Sequence, residues 1–175
     1  FTTSSARYAY LQRNYSLEIA SGKEADDIVF LEDLSGNSEQ LFAAPRIRNY
    51  RINDQFAVVA TDEEGSDVIY TVNLKTRDIK KERLYINGKI RELALSPQGS
   101  VVLYTVEPDY NPDDPQSFDK YAYQLRALDI KTGENYLLTD DKKEALKAET
   151  LQFSNDGQYA LVKDLQGSYL VVSPF

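Results

Sequence analysis

The chain has 175 residues, and its 28 Asp and Glu against 20 Lys and Arg give it a formal net charge of −8. An acidic protein repels phosphate backbones and anionic lipid surfaces, which argues against nucleic acid and membranes as partners. Because Cys and His are both absent, disulfides, thiolate nucleophiles, most hydrolytic triads and nearly all zinc chemistry are excluded.

A chain of this length forms one domain or two small ones, and its hydrophobic content of 42% is that of a globular protein. No apolar run approaches the roughly 20 residues of a membrane helix, so we predict no membrane insertion in this chain. The sequence begins at Phe1 and contains no Met. We therefore expect a mature or trimmed form, from which any upstream signal or anchor has been removed.

Three strand-like segments follow one another in the first predicted unit, residues 1–44. Matched to the later units, they correspond to the second, third and fourth strands of a four-stranded sheet. The first unit therefore lacks an innermost strand. The segments are ARYAYLQ (6–12), DIVFLEDL (27–34) and EQLFAA (39–44).

The second predicted unit, residues 45–88, contains all four strands. An acidic turn separates its second and third strands, and Gly65 supplies the positive φ that such a hairpin needs. Asn87-Gly88 is a strong turn signal at the passage to the next unit. The segments are IRNYRI (47–52), QFAVVAT (55–61), DVIYTVNL (67–74) and IKKERLYI (79–86).

A repeated hairpin relates the last two units. LALSPQGSVVLY (93–104) returns 58 positions later as LQFSNDGQYALV (151–162), with Ser96 and Ser154 in matching places. Apolar residues alternate on both sides of a turn that contains Gly, which predicts two strands with one buried face. The residues predicted on that face are Leu93, Leu95, Val101 and Leu103 in the first copy, and Leu151, Phe153, Tyr159 and Leu161 in the second.

A second repeated phrase follows the third strand of the first three units. Consecutive copies are 40 and 56 residues apart, and an insert rich in Pro and acidic residues, residues 107–122, accounts for the extra 16. Without the insert the period is close to 40 throughout. The copies are EDLSGNS (32–38), VNLKTRD (72–78) and LDIKTGE (128–134).

A period of about 40 residues with four short strands is typical of a β-propeller blade. We predict an all-β, propeller-like fold of about four blades of antiparallel four-stranded sheets, with the first and last blades incomplete. Open edges invite pairing, so the chain is a piece of a larger propeller, an open partial propeller, or one of two copies that associate. Only KKEALKAE (142–149) reads as briefly helical. The predicted units are 1–44, 45–88, 89–141 and 148–175.

The repeats resemble the WD-repeat-like propeller family, as found in the Tol-system periplasmic propeller and in the N-terminal propellers of prolyl-oligopeptidase-type peptidases. LALSPQG (93–99) and LQFSNDG (151–157) match its pattern apolar-x-[Phe/Leu]-Ser-Pro-Asp-Gly, and LDIKTGE (128–134) matches apolar-x-Asp-x-x-Thr-Gly-Glu. The Gly-His and Trp-Asp signatures of true WD repeats are absent. The resemblance implies a bacterial extracytoplasmic protein, periplasmic or at the cell surface, that has protein partners.

The insert carries the candidate metal ligands. Asp109, Asn111 and Asp113 occupy alternate positions, as oxygen ligands do in the first half of an EF-hand calcium loop. The pattern fails at Asp114, where Gly is required, and at Lys120, where Glu is required. A solvated acidic loop is the favoured interpretation, Ca²⁺ binding is the alternative, and no other cofactor is predicted.

Tyr110 and Phe118 of the insert are candidate partner contacts, since aromatic residues on a long loop can anchor a partner, or can pack the loop against its own blade. No catalytic residue is predicted, because the sequence contains no Gly-x-Ser-x-Gly elbow, P-loop or dinucleotide fingerprint. We expect a non-enzymatic protein-binding or scaffold module. The alternative is an accessory propeller of a serine peptidase or hydrolase whose catalytic domain lies outside this chain.

Overall fold

The computed structural model describes residues 7–14, 17–18, 23–82, 84, 88–108, 124–138, 148–164 and 166–174. Within these ranges the chain forms strands and turns without a helix, so it offers no helix long and apolar enough to cross a membrane. The strands form four antiparallel sheets of three or four strands and one short hairpin. The all-β prediction is confirmed.

Each main sheet is built from strands that are consecutive or nearly consecutive in the chain. Strand β1 (Arg7–Gln12) precedes the short hairpin β2 (Leu17–Glu18) and β3 (Lys23–Glu24), after which come β4 (Asp27–Asp33) and β5 (Ser38–Ala44). Sheet I has the order β1-β4-β5. Sheet II has the order β6 (Ile47–Ile52), β7 (Phe56–Glu63), β8 (Ser66–Asn73) and β9 (Ile79–Lys81).

The second half of the chain repeats this plan. Sheet III has the order β10 (Gly88–Leu95), β11 (Val101–Pro108), β12 (Gln124–Asp129) and β13 (Asn135–Leu137). Sheet IV has the order β14 (Ala148–Phe153), β15 (Ala160–Asp164) and β16 (Tyr169–Val172). Among the described residues, sheets I and IV therefore have three strands each and sheets II and III have four.

Similar turns end β4 of sheet I, β8 of sheet II and β12 of sheet III. Asp33, Asn73 and Asp129 each accept a hydrogen bond on Oδ1 from the backbone N–H two residues later, at 2.8, 2.9 and 2.8 Å. These Asx turns satisfy the backbone locally and fix the chain reversal. Asp164 makes the same turn at the end of β15, a second strand, so the turn alone does not identify a third strand. Asp27 of β4 and Asp67 of β8 each accept a backbone N–H from the first strand of the following sheet, which matches β4 to the third strand of sheet II. On this match, sheet I consists of second, third and fourth strands.

The sheets pack face to face in chain order around separate apolar cores. One core joins sheets I and II, a second joins sheets II and III, and two smaller ones join sheets III and IV. Because each middle sheet packs against a sheet on both sides, β7 is buried along nearly its whole length. Central core residues are Val29, Leu31 and Val59 in the first core, Val58, Leu93 and Tyr104 in the second, and Leu103, Leu125 and Val162 in the last two.

The first strands of sheets II, III and IV converge. Strand β10 contacts both β6 and β14, so the first strands line one inner edge, as the innermost strands of propeller blades do. Each of these strands contains a β-bulge just after its first apolar residue, at Arg48, Arg91 and Glu149. A bulge increases the local twist of a strand, and the same bulge in three strands sets the three sheets at a similar inclination.

Buried carboxylates fix each sheet to the next. Asp27 of β4 accepts a hydrogen bond from the backbone N–H of Ile47 at 3.1 Å, and Asp67 of β8 accepts one from Ile90 at 2.8 Å. Arg13 and Arg48 lie beside these two carboxylates and form ion pairs with them. Both links start on a third strand and end on the first strand of the following sheet, so they define its position.

The repeated hairpins form, but the alternation assigned the second strand of each to the wrong face. In sheet IV, Phe153 is opposite Ala160, so Ala160 and Val162 share its buried face. Tyr159 and Leu161, which were predicted to be buried with Phe153, are exposed. The length of the turn shifts the register by one residue, and a shift of one moves every side chain to the other face.

The same shift occurs in sheet III. Leu95 is paired with Val102 and shares its face, whereas Val101 and Leu103 lie on the other face. Both faces of β11 are covered there, and Val102 and Leu103 are both fully buried.

Three predicted boundaries are also wrong. Glu107 and Pro108, predicted as the first two residues of the insert, belong to β11. Gly88, predicted as the last residue of the second unit, begins β10. Ala148 and Glu149, predicted to be helical, begin β14. The rest of that predicted helix lies outside the described residues.

Candidate interaction surfaces

The turns between the first and second strands of sheets II, III and IV form a continuous surface, here called the loop surface (residues 53–55, 96–100 and 154–159). Ser96 and Ser154 occupy equivalent places in it. Each serine Oγ accepts a hydrogen bond from the backbone N–H five residues later, at 3.1 Å, and each serine N–H donates to the carbonyl of that same residue. The predicted equivalence of the two hairpins is confirmed.

Neighbouring turns of the loop surface are joined directly. Asn53 Nδ2 donates to the carbonyl oxygens of Ser96 at 2.8 Å and Gly99 at 2.9 Å. Its Oδ1 also accepts from the backbone of its own turn, so one buried amide holds two sheets together. Gly157, with a positive φ of 71°, lies against Pro97 of the preceding turn. The loop surface is therefore preorganised, since few of its backbone groups are left to rearrange on binding.

Tyr159 projects from the loop surface. Its backbone is fixed by both hydrogen bonds to Ser154, at 2.8 and 3.1 Å, while 52% of the residue is exposed. It lines a cleft of about 270 Å³ together with Val101, Gly157, Gln158, Ser173 and Pro174. A cleft of this size holds a side chain more readily than a whole ligand of drug size, for which sites begin at about 300 Å³.

Polar side chains lie on the inner edge below the loop surface. Arg51 of β6 donates to Asn49 Oδ1 of the same strand and to the carbonyl oxygen of Tyr50. Glu92 of β10 lies within electrostatic reach of Arg51. Burial raises the pKa of Glu92, and the positive charge of Arg51 offsets part of that rise. Burial also lowers the pKa of Arg51. The inner edge thus presents two half-buried side chains of opposite charge rather than a purely apolar surface.

Two apolar faces remain exposed at the ends of the stack. The outer face of sheet IV carries Leu161, Tyr169 and Val171. The outer face of sheet I carries Tyr8, with Tyr10 and Phe30 half-buried beside it. The rings of Tyr10 and Phe30 stack at a centroid distance of 5.2 Å and an interplanar angle of 16°. Exposed apolar patches on a soluble protein mark interaction surfaces.

The site residues predicted from the sequence lie elsewhere. Asp109, Asn111 and Asp113, the candidate calcium ligands, and Tyr110 and Phe118, the candidate partner contacts, are outside the described residues. Strands β11 and β12 pair up to Val106 and Gln124, so both ends of the insert are held at one end of sheet III. In the ranges that the structure describes, no three acidic residues are grouped as metal ligands would be.

Sequence reasoning missed the inner-edge pair and the sheet IV face. Arg51 and Glu92 are 41 positions apart, and only the alignment of β6 with β10 on Asn53 and Ser96 would have brought them to one edge. Leu161 was recognised as a strand residue but was assigned to the core. The exposure of Leu161 depends on how many sheets pack against sheet IV, and the sequence of a single strand does not carry that information.

No family model matches the chain, and no curated protein matches it. Several solved structures match the chain. A structure of TolB from Acinetobacter baumannii aligns with 97% of this chain and 41% of its own length, at 19% identity and a TM-score of 0.61. A prolyl endopeptidase, from a study of inter-domain dynamics in catalysis and specificity, aligns with 97% of this chain and 28% of its own, at 14% identity and a TM-score of 0.65.

A third match is the β-propeller domain of the Trilobed protease from Pyrococcus furiosus, described as having an open velcro topology. It aligns with 96% of this chain and 52% of its own length, at 10% identity and a TM-score of 0.58. At such identities these likenesses show the fold, and the β-propeller prediction is confirmed. The narrower assignment to WD-repeat-like repeats stays a prediction. The chain spans 28% to 52% of the length of these three structures.

Proposed function

We propose that this chain is a non-enzymatic protein-binding or scaffold module of an extracytoplasmic bacterial protein, and that it contacts a protein partner through the loop surface around Tyr159. The observation that carries the proposal is an exposed aromatic ring on a backbone held by two hydrogen bonds to Ser154. Tyrosine is enriched at interface hot spots because it contributes a large contact area at a small cost in conformational entropy.

The interlocked turns support the same proposal. A surface fixed by the Asn53 hydrogen bonds loses little entropy when a partner binds, so contacts made there contribute more fully to affinity. The extracytoplasmic location rests on the resemblance of the repeats to Tol-type propellers and on the fold shared with the TolB structure.

Site-specific photo-crosslinking tests the proposal. A benzophenone amino acid replaces Tyr159 in cells, and a second variant carries it at Tyr136, which is 41% exposed on the outer strand β13 and serves as the matched control. We expect a discrete adduct with a different polypeptide at position 159 and none at position 136; an adduct of twice the mass of this chain would report self-association instead. With the partner identified, Tyr159→Ala should weaken binding by roughly tenfold or more. Equal labelling at both positions, or none at 159, would refute the contact.

The insert offers a second contact at the other end of the sheets. It connects a second strand to a third, whereas the loop surface connects first strands to second strands. In antiparallel sheets these connections lie at opposite ends. Crosslinkers at Tyr110 and Phe118 therefore show whether the partner also reaches the insert. Thermal unfolding with and without Ca²⁺, for the wild type and Asp113→Ala, tests the calcium alternative; identical midpoints in all four conditions would remove it.

The alternative function is that of an accessory propeller in a serine peptidase. The specific observation in its favour is that two of the matched structures belong to a prolyl endopeptidase and a protease. The neighbouring reading frame decides between the two: a downstream Gly-x-Ser-x-Gly motif followed by a His would select the peptidase, and a stop codon or a signal anchor would favour the binding module.

A further inference from the structure

The outer face of sheet IV is built like the faces that pack sheets together. Each middle sheet has a trailing face, which is turned to the next sheet along the chain, and a leading face, which is turned to the preceding one. Leu103 of sheet III and Leu161 of sheet IV both lie seven residues after the turn serine, on the trailing face. Leu103 is paired with Ala127, and Leu161 with Val171. The trailing face of sheet IV therefore repeats that of sheet III position by position.

The exposure of these equivalent positions differs completely. Leu103 and its sheet II counterpart Val58 are 0% exposed, whereas Leu161 is 40% exposed. On the third strand, Leu125 is 0% exposed, while Tyr169 at the same place is 65% exposed. Val171 is also 65% exposed. Leu161, Tyr169 and Val171 thus form a sheet-packing surface on which no sheet lies among the residues that the structure describes.

The other end of the stack presents the complementary surface. Tyr8, Tyr10 and Phe30 lie on the leading face of sheet I, at the places held in sheet II by Ala57, Val59 and Tyr70. Ala57 and Val59 are buried against sheet I. Every internal interface joins one trailing face to one leading face. The described part of the chain therefore has one unpaired face of each kind, one at each end of the stack.

We propose that the trailing face of sheet IV is a docking surface for the leading face of sheet I in a second copy of this chain. The contact is heterologous, and such contacts form rings when the rotation closes. Two copies supply eight sheets, within the four to eight blades of propellers. The size agrees, because this chain spans 52% of the Pyrococcus furiosus propeller domain, so two copies together match one such domain.

The chemistry of the two faces suits this occupant. Both carry apolar and aromatic side chains, which pack by burial. Each also carries one charged residue, Lys163 opposite Tyr169 on one face and Glu32 opposite Tyr8 on the other. The copies each carry a net charge of −8, and their mutual repulsion opposes association at low ionic strength. Salt screens the repulsion without weakening the apolar contact. Association is therefore expected to strengthen as salt rises, the opposite of a contact made by charge complementarity.

Because the chain has no Cys, engineered cysteines report this contact without background. Tyr8→Cys and Val171→Cys are prepared separately, mixed and oxidised. We expect a disulfide-linked dimer that contains one copy of each variant, and much less from either variant alone. The control pair combines Val171→Cys with Leu34→Cys, an exposed turn residue away from both faces. A product from Val171→Cys alone that equals the mixture would overturn the head-to-tail arrangement.

Sedimentation of the 175-residue chain completes the test. A dimer is expected at concentrations on the order of 10 μM, and Leu161→Asp or Val171→Asp should return it to monomer. Both residues are exposed in the single chain, so the unfolding midpoint of the monomeric variants reports whether the fold is intact. An open ladder of larger species would overturn the two-copy ring. A wild-type chain that stays monomeric in high salt would overturn the proposal, and the face would then be covered by a segment outside these 175 residues.

Discussion

The middle sheets and the end sheets of this molecule are copies of the same repeat, but they differ in packing. Sheets II and III pack against another sheet on both faces, whereas among the described residues sheets I and IV do so on one face. In sheet II, consecutive residues from Phe56 to Asp62 are buried, because a sheet packs on each face of β7. In sheet IV, Ala160 and Val162 are buried while Leu161 between them is exposed. The two strands hold the same place in their sheets, each between a first and a third strand. The difference lies only in how many neighbours each sheet has.

This difference shows how stability is distributed in a stacked repeat. Each unit contributes its own folding energy and a term for each interface with a neighbour. Sheets II and III have two such interfaces, and sheets I and IV have one each among the described residues. Equivalent substitutions in a middle and an end sheet should therefore differ by the interface term, and matched pairs along the chain measure it.

The largest expected effect is at the pair Leu103 and Leu161. Leu103→Ala removes a fully buried side chain between sheets III and IV and should lower the free energy of unfolding by about 3 kcal/mol. Leu161→Ala, at the equivalent place on the exposed face, should cost less than about 1 kcal/mol in the monomer. Urea unfolding of both variants checks the prediction. Equal losses would mean that the face of sheet IV is covered in solution.

The comparison of Leu103 with Leu161 also marks the limit of what sequence reasoning predicts here. The period of about 40 residues, the four sheets, the missing first strand of sheet I and the equivalence of Ser96 with Ser154 all follow from local pattern and turn chemistry. Those signals are carried by a few adjacent residues. The period-two alternation predicted strands correctly for the same reason.

The faces of the second strands could not be predicted in this way. The register across a hairpin depends on the length and geometry of its turn, and the four residues between Ser154 and Tyr159 shift Leu161 off the face of Phe153. The inner-edge pair of Arg51 and Glu92 was also beyond reach, because it joins two strands of different sheets. Local sequence pattern therefore predicts the strands and sheets, whereas the exposure of each sheet face depends on how the sheets pack against one another.

The next largest effect tests whether the end sheets differ from the middle sheets on one face only. Asp27→Ala and Asp67→Ala each remove a carboxylate that accepts a backbone N–H from the first strand of the following sheet, at Ile47 and Ile90. A buried N–H left without an acceptor costs about 2 kcal/mol. Both positions face a following sheet, so we expect similar losses of about 2 kcal/mol in chemical denaturation. A much smaller loss at Asp27 would show that sheet I is weakly docked as a whole.

A smaller difference is expected at the two turn serines. Ser96 is buried beneath the neighbouring turn, and Ser154 lies at the exposed end of the row. Ser96→Ala leaves the N–H of Val101 without its side-chain acceptor in a dry environment and should cost about 1 kcal/mol. Water can replace the lost oxygen at Ser154, so Ser154→Ala should cost less than about 0.5 kcal/mol. Thermal unfolding of both variants measures the gap, and a larger cost at Ser154 would contradict it.

The smallest effect is a pH dependence that should have opposite signs at Glu92 and Glu32. Burial raises the pKa of Glu92 above its ordinary value near 4.5, so its neutral form is favoured by the folded protein. Its contribution to stability is present below that value and is lost as the pH rises through the folded pKa. Glu92→Gln should therefore raise the free energy of unfolding at pH 7, by less than about 1 kcal/mol, and have little benefit at pH 4.

Glu32, on the leading face of sheet I, should behave in the reverse way. Hydrogen bonds from Tyr8 and then Ser38 lower the pKa of Glu32 below its ordinary value near 4.5. Its contribution is present above that value and is lost as the pH falls through the folded pKa. Glu32→Gln should therefore destabilise the protein at pH 7 and become neutral in acid. Denaturation of both variants at pH 4 and pH 7 decides the matter: the same sign at both positions would mean that the leading face of sheet I is as desolvated as the inner edge, as it would be with another sheet already packed on it.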